Sequence, residues 1–107
     1  MAEVIKATDA DFDDMVVNSD LPVLVDFFGT WCGPCLKMKP MLEDLAAELD
    51  GRAKVVEVEV SEAPEAAGRF DVLGVPTFVI VAGGEAKETL SGTPSKADFL
   101  KAMEPHI

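Results

Sequence analysis

The sequence predicts an α/β fold in which a five-stranded mixed sheet lies between four helices. Segments with the periodicity of strands alternate with segments with the periodicity of helices, and short turns separate them. Gly83 and Gly84 lie between two strand-like segments, and such a pair is typical of a hairpin turn. Part of the sheet should therefore be antiparallel. The chain has 107 residues, of which 49% are hydrophobic, and it is expected to form one domain over residues 1–107.

The sequence pattern predicts the first two elements only weakly, whereas it predicts the strand that follows them clearly. Residues 4–5 predict a short edge strand. Thr8 and Asp11 have the spacing of a capping box, which predicts a short helix up to about Val17. Residues 22–28 are almost wholly apolar, as expected of a central strand that is covered on both faces.

A long helix is predicted from Pro34 to about Leu49. Proline is tolerated in the first turn of a helix, where its missing N–H has no partner to lose. Pro40 lies inside the helix and is expected to kink it, because its ring crowds the preceding turn. Gly51 is expected to end the helix.

The second half of the chain alternates in the same way. Residues 54–60 and 77–82 predict strands, and residues 64–70 predict a short helix between them. Residues 86–90 predict the return strand of the hairpin. Residues 95–98 have the spacing of a capping box and open the last helix.

Residues 31–35, Trp-Cys-Gly-Pro-Cys, are the most informative segment, since they contain the only tryptophan and the only two cysteines. A Cys-x-x-Cys pair between a strand and a helix is typical of thiol redox chemistry. A zinc site needs four ligands, and His106 is the only histidine. A metal shared by two chains would also use such a pair, as would a structural disulfide, but so short a loop removes little chain entropy. The sequence therefore predicts redox chemistry without a metal or a bound cofactor.

The net charge of −11 comes from twenty acidic and nine basic residues. This balance disfavours nucleic acid, whose phosphates select lysine and arginine. The acidity serves solubility, tolerance of high salt or the choice of partner. No apolar run is long enough for a transmembrane helix, and residues 1–6 lack the pattern of a signal peptide. We therefore expect a cytoplasmic monomer with no membrane partner, in a compartment that keeps thiols reduced.

Several features across the chain form one pattern: residues 31–35, Asp26, Pro40, residues 75–77 (Val-Pro-Thr), Gly84 and Gly92. Through them the chain resembles the thioredoxin family over nearly its whole length. The resemblance implies the thioredoxin fold and a general protein disulfide reductase that a thioredoxin reductase recharges. An oxidase or isomerase of the same fold and a non-catalytic docking subunit are the competing interpretations.

Cys32 is the expected nucleophile. It precedes the predicted helix, so helical N–H groups and the positive end of the helix dipole favour its thiolate, and we expect it to be exposed. Attack on a target disulfide gives a mixed disulfide. Cys35 lies one turn deeper and is expected to resolve that intermediate; the alternative is a small buried side chain without a role.

Asp26 is the third expected catalytic residue. It interrupts an apolar strand, where an unpaired carboxylate is costly. One interpretation is a buried acid with a raised pKa that relays protons to and from Cys35. The alternative is a carboxylate that reaches solvent at the end of the strand.

The resemblance also implies a shallow groove for target proteins beside the cysteines. The bond before Pro76 is expected to be cis and to leave the backbone of Val75 free to pair with an extended segment. Trp31 is expected to be a contact surface, with core packing as the alternative. The expected substrate-binding residues are Trp31, Gly33, Pro34, Gly74, Val75, Pro76, Gly92 and Thr93. The alternative for Gly92 is a turn that needs a positive φ.

Two positions depart from the family. Phe28 stands where the family usually has tryptophan, and Glu57 stands where it often has lysine. If Glu57 lies near the buried Asp26, the two carboxylates resist ionising together, and at least one of their pKa values should rise. Strand alternation also groups Glu57 with Glu59, and the alternative is that both face water.

Overall fold

The computed structural model describes residues 3–107 as one sheet with helices on both faces. Met1 and Ala2, which begin the segment expected to lack a signal peptide, lie outside the described residues. The strands are β1 (Ile5–Ala7), β2 (Val23–Phe28), β3 (Lys54–Glu59), β4 (Thr77–Ala82) and β5 (Glu85–Ser91). The α-helices are α1 (Gly33–Glu48), α2 (Pro64–Arg69) and α3 (Lys96–Met103), with a π-helix at Asp13–Val17 and a 3-10 turn at Glu104–His106.

The sheet is mixed, as the sequence predicts. Its strand order is β1-β3-β2-β4-β5. The first three strands in this order are parallel, and β4 and β5 pair in antiparallel fashion through the hairpin. Gly83 and Gly84 both adopt positive φ in the hairpin turn, at +61° and +80°, where a residue with a β-carbon would be strained.

β2 is the central strand, and all of its residues are buried. Its side chains alternate between two cores, so Val25 and Phe27 pack under the π-helix and α2, whereas Leu24 packs under α1 and α3. Asp26 shares the face of Leu24. It therefore points toward the helix that carries the two cysteines.

The helix predicted from Thr8 is shorter and of a different type. Asp11 Oδ1 accepts a hydrogen bond from the Thr8 N–H at 2.7 Å, but the Asp11 N–H donates to the backbone oxygen of Thr8 and not to its hydroxyl. Only half of the capping box forms, and the chain makes a turn. The helix that follows is π-helical, with the Asn18 N–H donating to Asp13 O at 2.9 Å.

The two α-helices on the other face begin as predicted. α1 contains Pro40, which cannot donate to the carbonyl oxygen four residues earlier. The capping box of α3 is complete, because Ser95 and Asp98 each accept a hydrogen bond from the other's N–H. No helix within residues 3–107 has both the length and the apolar character needed to cross a membrane.

α2 is capped from a distant part of the chain. Its six residues begin at Pro64, and no side chain at its own N-cap accepts a hydrogen bond. Asp9 does so instead: its carboxylate accepts from the N–H groups of Glu65 at 3.0 Å and Ala66 at 2.9 Å. Asp9 thus satisfies two of the free N–H groups of the first turn and favours the dipole of the helix.

We predict that Asp9→Ala lowers the free energy of unfolding by about 1 kcal/mol, the usual effect of losing an N-cap. Denaturant unfolding measures it. Asp20→Ala is the matched control, since Asp20 is exposed and has no hydrogen bond within residues 3–107. Equal stability of the two variants would contradict the capping role.

Candidate active site

The two cysteines form a disulfide across the first turn of α1. Cys32 is the N-cap residue of this helix, and its Cα lies 5.3 Å from that of Cys35. The Cys35 N–H donates to Cys32 Sγ at 3.2 Å. Pro34 is in the first turn, where its missing N–H leaves no bond unmade. The sulfur of Cys32 therefore lies at the positive end of the helix dipole, which favours a thiolate once the disulfide is reduced.

Both cysteines are covered by neighbouring side chains. Phe28 and Val75 pack around them, and Cys35 is 1% exposed and Cys32 6% exposed. The expectation that Cys32 is exposed is wrong for this disulfide-bonded form, because the end of β2 and the loop before β4 close over the pair. Gly33 and Pro34, between the cysteines, are exposed.

Trp31 forms an exposed wall beside the disulfide. It is 73% exposed, so the alternative of core packing is wrong. Its indole lies against the backbone of Gly29, where a β-carbon would come within 2.7 Å of the ring. Gly29 was not among the expected site residues, and only the missing side chain between Phe28 and Thr30 signals its role.

A shallow groove of about 170 Å³ runs between Trp31 and the loop before β4. Leu73, on the rim of the groove, is 99% exposed. The Val75–Pro76 bond is cis, as the resemblance implies. Neither the N–H nor the C=O of Val75 has a hydrogen bond within the described residues. The lining residues are Trp31, Val60, Ala67, Val72, Leu73, Gly74 and Val75.

Of the expected groove residues, Trp31, Gly74 and Val75 line this groove. Gly92 adjoins Pro76, whose carbonyl oxygen accepts its N–H at 3.3 Å. Thr93 lies further away and lines a separate surface depression of about 650 Å³ together with Asp98 and Lys101 of α3. The sequence analysis missed Val60, Ala67, Val72 and Leu73, because only tertiary structure brings these apolar residues next to Trp31.

Asp26 is a buried carboxylate without a partner. It is 1% exposed, and neither of its oxygens has a hydrogen bond within the described residues. The alternative that it reaches solvent is therefore wrong. Burial raises the pKa of Asp26 from 3.8 to about 7; the charge of Lys39 opposes this rise and that of Glu57 adds to it.

Lys39 is the cation that the sequence analysis missed. It lies one turn after Cys35 on α1, and its Nζ is 2.7 Å from Glu57 Oε2 and 3.9 Å from the centre of the Phe28 ring. The four-residue spacing from Cys35 was the available signal. Glu57 does lie near Asp26, opposite it in the register of β2 and β3, but a lysine neutralises it.

Glu59 is also buried, but unlike Asp26 it accepts several hydrogen bonds. It is 4% exposed, so the alternative that it faces water is wrong. Its carboxylate accepts hydrogen bonds from the hydroxyl and N–H of Ser61 and from the N–H of Glu62. These bonds, the Ser61 hydroxyl first, together with one from the backbone of Thr30, hold the pKa of Glu59 below its usual value. Glu59 thereby connects the loop after β3 to the residue before Trp31.

The chain is similar to known proteins over its whole length. The family model described as Thioredoxin matches residues 3–105. A thioredoxin of Haemophilus influenzae is 37% identical over 107 residues, which cover 100% of both chains. A thioredoxin of Staphylococcus saprophyticus is 36% identical and covers 97% of this chain and 98% of its own, and thioredoxin 1 of a Nostoc species is 35% identical over 100% of both. With its Cys32–Cys35 disulfide, the chain belongs to the thioredoxin family and is an oxidoreductase that reduces protein disulfides.

Proposed function

We propose that Cys32 attacks the target disulfide and that Cys35 resolves the mixed disulfide. The observation that carries this assignment is the position of Cys32 Sγ at the N-terminus of α1, where it accepts the Cys35 N–H at 3.2 Å. A thiolate in this place is stabilised by the helix dipole and by a backbone N–H group. Cys35 is inside the helix and lacks this position.

The proposed reaction has two exchange steps. The Cys32 thiolate of the reduced protein attacks one sulfur of the target, the target S–S bond breaks, and the other target sulfur leaves as a thiolate. Cys35 then loses its proton and attacks Cys32 Sγ, which releases the second target sulfur and forms the disulfide seen in the structure. The target gains two electrons and the protein loses two.

Asp26 is the proposed acceptor of the Cys35 proton. It lies on the face of β2 that α1 covers, two residues before Phe28, which packs against both cysteines. A group whose pKa is about 7 can take up and release a proton near neutral pH with little cost in either direction. Its lack of hydrogen-bond donors leaves its oxygens free for this exchange.

The proposed binding surface is the groove beside Trp31. The unpaired backbone groups of Val75 support pairing with an extended target segment, as in the addition of a strand to a sheet. Trp31, Gly33, Pro34, Gly74, Val75, Pro76 and Gly92 would contact the segment near its cysteine, and Thr93 would contact it farther along.

The partners and setting are proposals as well. Disulfide-containing proteins are the proposed targets, and a thioredoxin reductase is the proposed electron donor that restores the dithiol. The net charge of −11 supports protein partners over nucleic acid. A pair of cysteines used for catalysis supports a reducing compartment, for which we propose the cytoplasm, with the chain acting as a monomer.

We predict that Cys35→Ser accumulates a covalent adduct with a disulfide-containing target such as insulin, because the intermediate forms and cannot be resolved. Cys32→Ser should form little adduct. Non-reducing mass spectrometry after the same incubation measures both, and the double variant is the control for non-covalent binding. Equal adduct formation by the two single variants would contradict the assignment of Cys32 as nucleophile and Cys35 as resolving cysteine.

We predict that Asp26→Asn stabilises the fold at neutral pH. The folded protein binds the Asp26 proton more tightly than the unfolded chain, so its free energy of unfolding falls as pH rises from about 4 to about 7. Above pH 7 the unmodified protein has lost about 4 kcal/mol of its free energy of unfolding in this way. Asp26→Asn does not lose this free energy, but its net gain is smaller because the variant buries an unpaired amide.

Denaturant unfolding at several pH values checks this prediction. The two stability curves should converge at low pH and separate as pH rises, while the second exchange step of Asp26→Asn should be slower than that of the unmodified protein. Parallel curves would show that Asp26 does not titrate in this range.

A further inference from the structure

Most of the groove lining belongs to one continuous stretch of the chain. Apart from Trp31 and Val60, the lining residues all come from α2 or from the segment between α2 and β4. They are Ala67, Val72, Leu73, Gly74 and Val75. The position of α2 therefore determines where most of the lining lies.

The last turn of α2 is connected directly to the lining. The Val72 N–H donates to Ala67 O at 2.9 Å, and the Asp71 N–H donates to Gly68 O at 3.2 Å. Asp71 adopts a positive φ of 55°, the conformation in which many helices end. Because Val72 is hydrogen-bonded to Ala67, a displacement of α2 is passed on to the segment that lines the groove.

α2 depends on the rest of the protein for its stability. It has only six residues, and a helix of this length is not stable alone in water. It also contains Gly68, and glycine has a low helix propensity. Its N-cap residue is Ala63, whose methyl side chain cannot accept a hydrogen bond. The contacts that hold α2 must therefore come from other elements.

Three residues before β2 supply such contacts, and we call Asp9, Phe12 and Asp13 the clamp. The two carboxylate oxygens of Asp9 are used separately. Oδ2 accepts the Glu65 N–H at 3.0 Å, and Oδ1 accepts the Ala66 N–H at 2.9 Å. Hydrogen bonds to a charged acceptor are stronger than those between neutral groups. Asp9 therefore fixes the beginning of α2.

The other two clamp residues act at the end of α2. The rings of Phe12 and Phe70 have their centres 5.8 Å apart, and Asp13 Oδ1 lies 2.9 Å from Arg69 Nη1. The Asp13–Arg69 ion pair is half exposed, and exposed ion pairs contribute little to stability. Phe12 is a buried core residue, so its replacement would disturb the whole fold. Asp9 is therefore the clamp residue whose role can be tested alone.

We propose that Asp9 is a positioning residue for target binding, because its cap on α2 holds the groove lining where an extended target segment meets it. The inference rests on the proposed role of the groove as the binding surface. The disulfide belongs to other elements, since Cys32 and Cys35 begin α1. Asp9 should therefore affect the exchange reaction only with targets that occupy the groove.

The test compares two disulfides of different size. Insulin presents a chain segment to the groove, whereas the small aromatic disulfide dithiobis(nitrobenzoate) reports on the cysteines alone. The second-order rate constant of the reduced full-length protein is measured with each disulfide for Asp9→Ala and Asp9→Asn. Asp20→Ala is the control for the lost charge. Ala47→Gly is the control for lost stability, because Ala47 is exposed in the last turn of α1 and glycine weakens a helix.

We expect Asp9→Ala to lower the rate constant with insulin by up to about fivefold, the change in an equilibrium that the usual loss of an N-cap produces. Its rate constant with dithiobis(nitrobenzoate) should not change. Asparagine is as good an N-cap as aspartate, so Asp9→Asn should stay closer to the unmodified protein. Both controls should keep both rate constants. Equal reduction of the two rate constants in Asp9→Ala, or the same loss with insulin in Ala47→Gly, would overturn the inference.

Hydrogen exchange tests the link between Asp9 and the groove without catalysis. Opening of α2 exposes the Val72 amide, so its exchange should be faster in Asp9→Ala and unchanged in Ala47→Gly. If Asp9 held only the first turn, exchange of the Ala66 amide would rise and that of Val72 would not. That result would overturn the inference.

Leu73→Ser separates the role of Asp9 from that of the groove. The Leu73 side chain is 99% exposed, so its replacement should leave the fold intact. If Leu73→Ser slows the reaction with insulin and Asp9→Ala does not, only the role of Asp9 fails. If Leu73→Ser keeps the rate constant with insulin, the groove is not the binding surface, and the inference about Asp9 fails with it.

Discussion

The burial of β2 along its whole length is the constraint on which the site depends. Because β3 and β4 pair with it on both sides and helices cover both faces, its residues have fixed directions. Asp26 must point toward α1, and Phe28 must end the strand beneath the disulfide. The chain then has only Gly29, Thr30 and Trp31 in which to reach Cys32, so the sulfur lies at the junction of strand and helix.

The contrast between Asp26 and Glu59 shows how environment assigns different roles to one chemical group. Both carboxylates are almost wholly buried. Glu59 receives hydrogen bonds from Ser61 and Glu62, which stabilise its charged form and make it a fixed structural tie. Asp26 receives none, so its charged and neutral forms lie close in free energy near neutral pH. The carboxylate without hydrogen bonds, Asp26, is therefore the one suited to proton transfer.

Local pattern was enough to predict the strands, the two longer helices and the disulfide motif, because each depends on neighbouring residues. The cis bond before Pro76 followed from the resemblance alone. Three features depend on contacts between distant parts of the chain and could not be predicted in this way. Asp9 caps a helix 56 residues away, Lys39 reaches Glu57 across 18 residues, and the groove takes Val60 and Leu73 from different loops. At Thr8 only half of the predicted capping box forms, and the helix that follows is a π-helix in place of the predicted α-helix.

The exposure of Leu73 has a consequence for how tightly any target is held. A leucine side chain left almost entirely in water gains about 1.5–3 kcal/mol when an apolar surface covers it. That gain is non-directional and demands no particular sequence of the covering segment. Alone it corresponds to weak association, because every tenfold gain in affinity requires about 1.4 kcal/mol. Contacts of this kind let a surface associate with proteins of different sequence and dissociate quickly from each.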